Sequence, residues 1–182
     1  MPVRVLVPVA NGTEEVEAIT VVDILRRAGA EVIVSSVDGL QVVCSRGTRL
    51  VADRLIKDCA KEVFDLIVLS GGMPGAEHLR DSKELTEMLK QQELQGRKLA
   101  AICAAPVVVL QHHGLLSRKK ATCHSGFAPR LENNQAAADQ LVVVDGNCTT
   151  SRGVRTALDF ALKLVEQLFG EAKAREITDQ LI

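Results

Sequence analysis

Strands alternating with helices predict a doubly wound α/β sandwich, a mostly parallel sheet covered by helices on both faces. Three observations carry that prediction. Val3–Val9, Glu31–Val37, Asp65–Ser70 and Leu99–Ile102 are short apolar runs of the kind a parallel strand buried on both sides requires. Between them lie segments with apolar residues at helical spacing and glycines at their ends. The chain's 182 residues suffice for one domain with a sizeable core and are too few for two.

Val3–Val9 opens the sheet, and Asn11-Gly12 breaks it. A helix follows to about Ala28, with Gly12 or Thr13 as cap, acids in the first turn and Gly29 to stop it. Ile19 and Val22, with Leu25 or Arg26, follow helical spacing and mark the face expected on the sheet. Glu14 and Glu15 suit the positive end of the helix dipole. Glu17 lies deeper, on the side that nears the sheet edge, and reads as a solvated helix glutamate or as a site acid. Glu31–Val37 is the second strand, and Asp38-Gly39 turns into Leu40–Cys44 as a small hairpin-like excursion. Ser45-Arg46-Gly47 is a loop before an extended piece near Leu50–Ala52; Arg46 reads as a surface charge, or as an anion or subunit contact. Lys57–Val63 is a short helix or turn.

Asp65–Ser70 ends in Gly71-Gly72-Met73-Pro74-Gly75-Ala76. Glycines directly after a parallel strand let a ligand approach the backbone and leave N–H groups free for an oxyanion, although a Gly-Gly turn is equally a plain tight loop. Neither GxGxxG nor GxxxxGK[ST] occurs, so nucleotide phosphate is not implied. Asp81-Ser82-Lys83-Glu84 opens a helix to Gln95, with Leu85, Met88 or Leu89, and Gln92 on its inner side and Gly96 to stop it.

Leu99–Ile102 then passes, with no polar loop, into a helix over Ala104–His113 that carries Pro106 in its first turn and ends at Gly114. The junction residue is Cys103. Such an elbow holds its residue in a strained conformation over the carboxyl edge of the sheet, and Ala101 and Ala105 leave it room. The helix amino terminus favours thiolate there. Taken alone, Cys103 is as readily a buried core cysteine. Lys120–Cys123 reads as a further strand delivering His124-Ser125-Gly126 to its end. Leu141–Asp145 and Cys148–Ser151 form a hairpin across Gly146-Asn147, followed by helices over Arg155–Phe169 and Glu171–Leu181.

Composition excludes several classes. A net charge of −1 gives no basic footprint for nucleic acid and no polybasic patch for a membrane surface. The amino-terminal apolar run is too short for a signal peptide, and nothing later is long enough for a bilayer span. The five cysteines (44, 59, 103, 123 and 148) are odd in number and lack a CxxC pair. That favours reduced thiols in a cytoplasmic compartment over a disulfide framework or a zinc site. With Trp and Tyr absent, the core is expected to be aliphatic. Ligands of doubly wound sheets bind beyond the carboxyl ends of the strands. That rule gathers an acid (Glu17), an oxyanion loop, a thiol (Cys103) and an imidazole (His124) at one edge.

Three stretches resemble the ThiJ/PfpI superfamily and, within it, the DJ-one branch: Gly12-Thr13-Glu14-Glu15-Val16-Glu17, Leu69-Ser70-Gly71-Gly72 with Gly75-Ala76, and Ala100-Ala101-Ile102-Cys103-Ala104-Ala105-Pro106. Val43-Cys44-Ser45-Arg46 and Thr150-Ser151-Arg152-Gly153 also match, so the similarity covers essentially the whole chain. The resemblance implies a flavodoxin-like sandwich of the class I glutamine amidotransferase kind, and a homodimer. It assigns Cys103 as an oxidisable nucleophile and Glu17 as a protonated carboxyl bonded to it. Gly72 and Ala104 become oxyanion donors and His124 the nearby imidazole. Protease branches carry His directly after the nucleophile, where this chain has Ala104. The branch commonly has Gly-Pro-Gly where this chain has Gly153-Val154-Arg155.

The leading functional expectation from the resemblance is a glyoxalase and protein deglycase of hydrolase or lyase type, without cofactor or metal. Its partners would be small α-oxoaldehydes such as methylglyoxal, or glycated proteins. The alternative is a redox-sensing stress protein or chaperone whose cysteine oxidises to sulfinate. A peptidase or amidase ranks last, because a glutaminase-type site expects a His-x-Glu pair that His124-Ser125-Gly126 does not supply.

Overall fold

The computed structural model describes residues 2–132 and 140–182. In chain order the strands are β1 (Arg4–Val9), β2 (Glu31–Ser36), β3 (Gln41–Val43), β4 (Arg49–Val51), β5 (Arg54–Leu55), β6 (Leu66–Leu69), β7 (Lys98–Ile102), β8 (Val142–Asp145) and β9 (Cys148–Ser151). Seven of them form one sheet in the order β5-β2-β1-β6-β7-β9-β8. Every pair in it is parallel except β8 with β9, the edge hairpin expected across Gly146-Asn147. The order reverses at β1, between β2 and β6, as in a flavodoxin-like fold, and such a switch point opens a crevice at the carboxyl edge.

The helices are α1 (Glu15–Arg27), α2 (Ile56–Cys59), α3 (Gly75–Asp81), α4 (Lys83–Leu94), α5 (Ala157–Phe169) and α6 (Glu171–Asp179), with a further helical turn, the elbow helix, over Pro106–Gln111. Successive strand side chains point to opposite faces, so each strand feeds two cores. Val5, Val7, Val68 and Ile102 pack with α1, α5 and α6, whereas Leu6, Ile67, Leu69 and Leu99 pack with α2, α3, α4 and the elbow helix. Both cores are largely aliphatic, and their largest members, Phe64 and Phe160, are fully buried. Strands filled on both faces are why the sequence shows continuous apolar runs rather than alternation.

Several local expectations are corrected. On α1 the inner face is Ala18, Val21, Ile24 and Leu25, while Ile19 is 46 % exposed. Val22, partly buried, packs against both that core and the β3–β4 hairpin cluster. The cap of α1 is Glu14 without a side-chain bond, because the Thr13 hydroxyl turns back to accept from Ala10 N at 2.9 Å. The excursion after β2 is a hairpin, β3 with β4, but it reverses over Ser45–Thr48 rather than at Asp38-Gly39. A helix not anticipated, α3, starts directly after the glycine loop, and α4 follows with Ser82 as its capping side chain. The elbow helix is wound as a wide π-type turn that begins at Pro106, whose missing N–H leaves no donor unpaired there. Lys120–Cys123 forms no ladder; Lys120 N donates to Asp145 Oδ2 and Thr122 N to Thr150 Oγ1, so side chains hold what backbone pairing was expected to hold.

Candidate active site

Cys103 leaves β7 with φ of +66°, a left-handed conformation that costs a side-chain-bearing residue roughly 1–3 kcal/mol. Bonds on both sides impose it: Cys103 N donates to Ser151 O at 3.1 Å, and Cys103 O accepts from His124 N at 2.9 Å. The expected elbow strain is therefore present. Gly71 lies against the thiol so closely that a Cβ there would stand 2.9 Å from Sγ. Gly72, at φ +87°, is equally confined, since its Cβ would fall 2.3 Å from Gly12 O. The glycine pair is thus required by sterics. It keeps the Gly72 N–H close to the sulfur, where it and the Ala104 N–H favour the thiolate.

Glu17 has no solvent exposure although it sits in the first turn of a helix. Its Oε2 accepts from Gly71 N at 2.8 Å. Oε1 finds no N–H or hydroxyl donor among the described residues, and the group facing the carboxyl is the Cys103 thiol. Burial pushes the Glu17 carboxyl up to about 7, opposed by the Gly71 N–H and the thiol and reinforced by the Glu14 charge. Burial, then the negative charge of Glu17, pushes the Cys103 thiol up to about 12, while the Ala104 and Gly72 N–H groups pull it down. Thiol ionisation is therefore harder than the helix amino terminus alone implied. The two acids compete for one negative charge: when Glu17 keeps its proton, its repulsion vanishes and its O–H becomes a donor to sulfur.

His124 is exposed at the mouth of the cleft. Its Nδ1 accepts from Gly126 N at 3.1 Å, which assigns the neutral ring's proton to Nε2. Gly153 separates the ring from the acid; a Cβ there would stand 3.5 Å from His124 Cδ2 and 4.0 Å from Glu17 Oε1. Cys103, Glu17, Gly72, Ala104 and His124 all line one open cleft of about 720 Å³. The residues singled out in the sequence are thus brought together at the carboxyl edge.

Other residues of the cleft were not anticipated. Arg46 is indeed at the surface, but it lines the cleft with Arg152 and Arg155, and none of the three enters an ion pair with a described residue. Glu14 and Glu15 do more than suit a dipole. Ser45 Oγ donates to Glu14 Oε2 at 2.7 Å, and Arg46 N donates to both Glu15 oxygens at 3.1 Å. Burial alone would raise Glu15, but N–H groups of its own backbone and of Arg46, with the Thr48 and Ser45 contacts, bring it down to about 2. The pair anchors the hairpin turn that carries Arg46. A signal existed in the sequence, since Ser45-Arg46 recurs as Ser151-Arg152. Among the described residues the five cysteines are free, and no cluster of His, Cys, Asp and Glu is arranged to hold a metal.

Comparison with known proteins places this architecture. The model of the DJ-1/PfpI family matches residues 3–167. The oxidised DJ-1 of Toxoplasma gondii is 48 % identical, with a TM-score of 0.95 over 98 % of this chain and 97 % of that one. Protein DJ-1 homolog B of Arabidopsis thaliana is 46 % identical over 98 % of this chain but only 41 % of its own length, so the chain spans less than half of that relative. The glutathione-independent glyoxalase DJR-1.2 of Caenorhabditis elegans is 36 % identical over 92 % of this chain and 89 % of its own.

Proposed function

The chain belongs to the DJ-1/PfpI family, and from that premise we propose that it is a cofactor-independent glyoxalase of carbonyl stress defence, acting on methylglyoxal-type α-oxoaldehydes. The same chemistry extends to their early adducts on proteins. The observation that carries the reading is one constellation: a thiol on a strained elbow, a buried carboxyl facing it, and two N–H groups at the sulfur in an open cleft. The printed name of the nematode relative supports the substrate class.

The Cys103 thiolate attacks the aldehyde carbon and forms a hemithioacetal, whose oxyanion the Gly72 and Ala104 N–H groups receive. Glu17, ionised once its proton has passed to the substrate side, takes the hydrogen from the former aldehyde carbon as a proton and returns it to the neighbouring carbon. His124, with Nε2–H turned from its Gly126 bond, assists at the second oxygen. The product is a thioester of the 2-hydroxy acid, and water releases lactate and the thiol. One aldehyde and one water are consumed per lactate formed.

The test is lactate formed from methylglyoxal without glutathione or metal. Wild type is expected to turn over many times. Cys103→Ser abolishes turnover, and Glu17→Gln and His124→Ala lower it. No more than one equivalent of lactate per subunit from wild type refutes the reading.

One feature favours redox sensing as a second reading. Glu17 Oε1, buried and without another hydrogen-bond partner among the described residues, would share a proton with an oxygen added to the sulfur by peroxide. The proposal includes a homodimer in a reducing, cytoplasm-type compartment. Val16, Ile19, Val43 and Val51, between 46 and 70 % exposed on α1 and the β3–β4 hairpin, supply an apolar face for it, and sedimentation at twice 19.6 kDa checks it. No helix among the described residues is long and apolar enough to cross a membrane.

A further inference from the structure

We propose that Asp38 and His78, outside the cleft, are positioning residues that hold the Gly71-Gly72 N–H groups in register with Glu17 and Cys103. The proposal rests on reading Cys103 as the nucleophile of the site. It starts from a contact made almost without side chains. The turn before α1 and the loop after β6 meet backbone to backbone: a Cβ on Gly12 would stand 2.6 Å from Pro74 Cδ, one on Gly72 2.3 Å from Gly12 O, and one on Gly75 2.4 Å from Thr13 N. Glycine surfaces lack the interlocking side chains that fix register in a packed core. Hydrogen bonds have to fix it instead.

Glu14 N donates to Gly71 O at 2.9 Å and supplies one such bond inside the contact. The second tie runs around it through side chains. Asp38 Oδ2 accepts from Asn11 N at 2.8 Å, from Asn11 Nδ2 at 3.2 Å and from His78 Nδ1 at 2.9 Å. Asn11 Oδ1 in turn accepts from Val43 N at 2.9 Å. One carboxylate oxygen thereby joins the β1–α1 turn, the segment after β2, and α3, while the Asn11 amide adds β3. Bonds to an ionised acceptor are the stronger kind, and three donors on one oxygen leave it little freedom to move.

His78 transmits this to the site because α3 begins on the glycine loop. Ala76 N donates to Gly72 O at 2.9 Å and His78 N to Pro74 O at 3.1 Å. Pulling α3 toward Asp38 therefore presses Gly71 and Gly72 onto the Gly12 turn. From that loop Gly71 N donates to Glu17 Oε2, Gly71 itself lies directly against the Cys103 thiol, and the Gly72 N–H favours the thiolate. A shift well under one ångström takes an N–H group out of useful alignment. His78 and Asp38 touch neither sulfur nor cleft, so their effect passes through the loop.

The experiment follows iodoacetamide alkylation of Cys103 by mass across pH 5–10, with thermal midpoints measured in parallel. The proteins are wild type, His78→Ala, His78→Asn, His78→Gln and Asp38→Asn. The Asn amide nitrogen occupies the place of Nδ1, whereas the Gln nitrogen lies one bond too far. His78→Ala is expected to slow alkylation at pH 7 about three- to tenfold and to move the profile to higher pH. His78→Asn restores wild-type behaviour within about twofold. His78→Gln and Asp38→Asn follow the alanine variant, and kcat for methylglyoxal falls with KM nearly unchanged. An unaltered profile in His78→Ala and Asp38→Asn overturns the proposal. So does an asparagine variant as slow as the alanine one, or a set of rates that follows only the thermal midpoints. Because alkylation needs no turnover, an inactive wild type with the expected alkylation pattern sinks the glyoxalase reading and leaves this one standing.

Discussion

The two ends of the sheet treat charge in opposite ways. At the amino end Arg4 pairs with Glu62, which the Arg54 side chain also reaches from β5, Arg4 also approaches Glu31, and Asp65 accepts the Arg4 N–H. The Arg4 guanidinium further stacks 4.9 Å above the Phe64 ring. At the carboxyl end Glu17 keeps one buried oxygen without a donor, and three arginines line the cleft without ion pairs to described residues. The first end is satisfied, whereas in the cleft at the second these groups are left open, which is where a ligand or a reacting group finds something to bind. The same contrast recurs within one helical turn. Glu15 is brought down to about 2 by the donors around it, and Glu17, two residues on, is pushed up to about 7 by burial.

Glu17→Gln breaks the contrast most. Turnover is expected to fall about 10²-fold or more, because the proton carrier is gone. Stability moves the other way. The folded protein holds the Glu17 proton more tightly than the unfolded chain does, so the carboxyl's favourable contribution is complete below pH 4.5 and is lost as pH rises to about 7. Denaturant titrations should find wild type losing up to about 3 kcal/mol across that window. The glutamine variant should lack that slope; a variant that keeps it shows that another group titrates.

Glu15→Gln is the next largest and has the opposite sign. A depressed carboxyl stabilises above pH 4.5 and ceases to do so as pH falls to about 2. The variant is expected to be less stable than wild type by about 2 kcal/mol at pH 7, with the gap closing in acid. A gap that persists unchanged at pH 2 contradicts this origin. Glu62→Ala, at the satisfied end, should lower stability by about 1 kcal/mol and leave Cys103 alkylation and turnover as in wild type. A change in either rate would mean that the two ends are coupled.

The sequence told most where one residue serves one purpose. Cys103 between an apolar run and Pro106 had to be an elbow, and the hairpin across Gly146-Asn147 followed from its turn. The buried Glu17 was ambiguous because helical spacing does not say how closely a helix end approaches a sheet. The face of α1 was misjudged for a related reason: Ile19 is as apolar as Val21, but the helix sits so that Val21 points inward. Glu14 and Glu15 show more in the structure than a fit to the helix dipole, because their partners lie about 30 residues away in sequence and meet them only once the β3–β4 hairpin folds over α1. Lys120–Cys123 had the composition of a strand, but its two identified backbone donors went to side chains of β8 and β9.

The cysteines carry a practical consequence. Cys44, Cys59, Cys123 and Cys148 are 5, 0, 3 and 2 % exposed, and only Cys103 opens to the cleft. A brief pulse of a thiol-reactive tag therefore stamps each folded molecule at a single position and each unfolded one at five. The mass spectrum of a mixture separates the two populations molecule by molecule, without any engineered label.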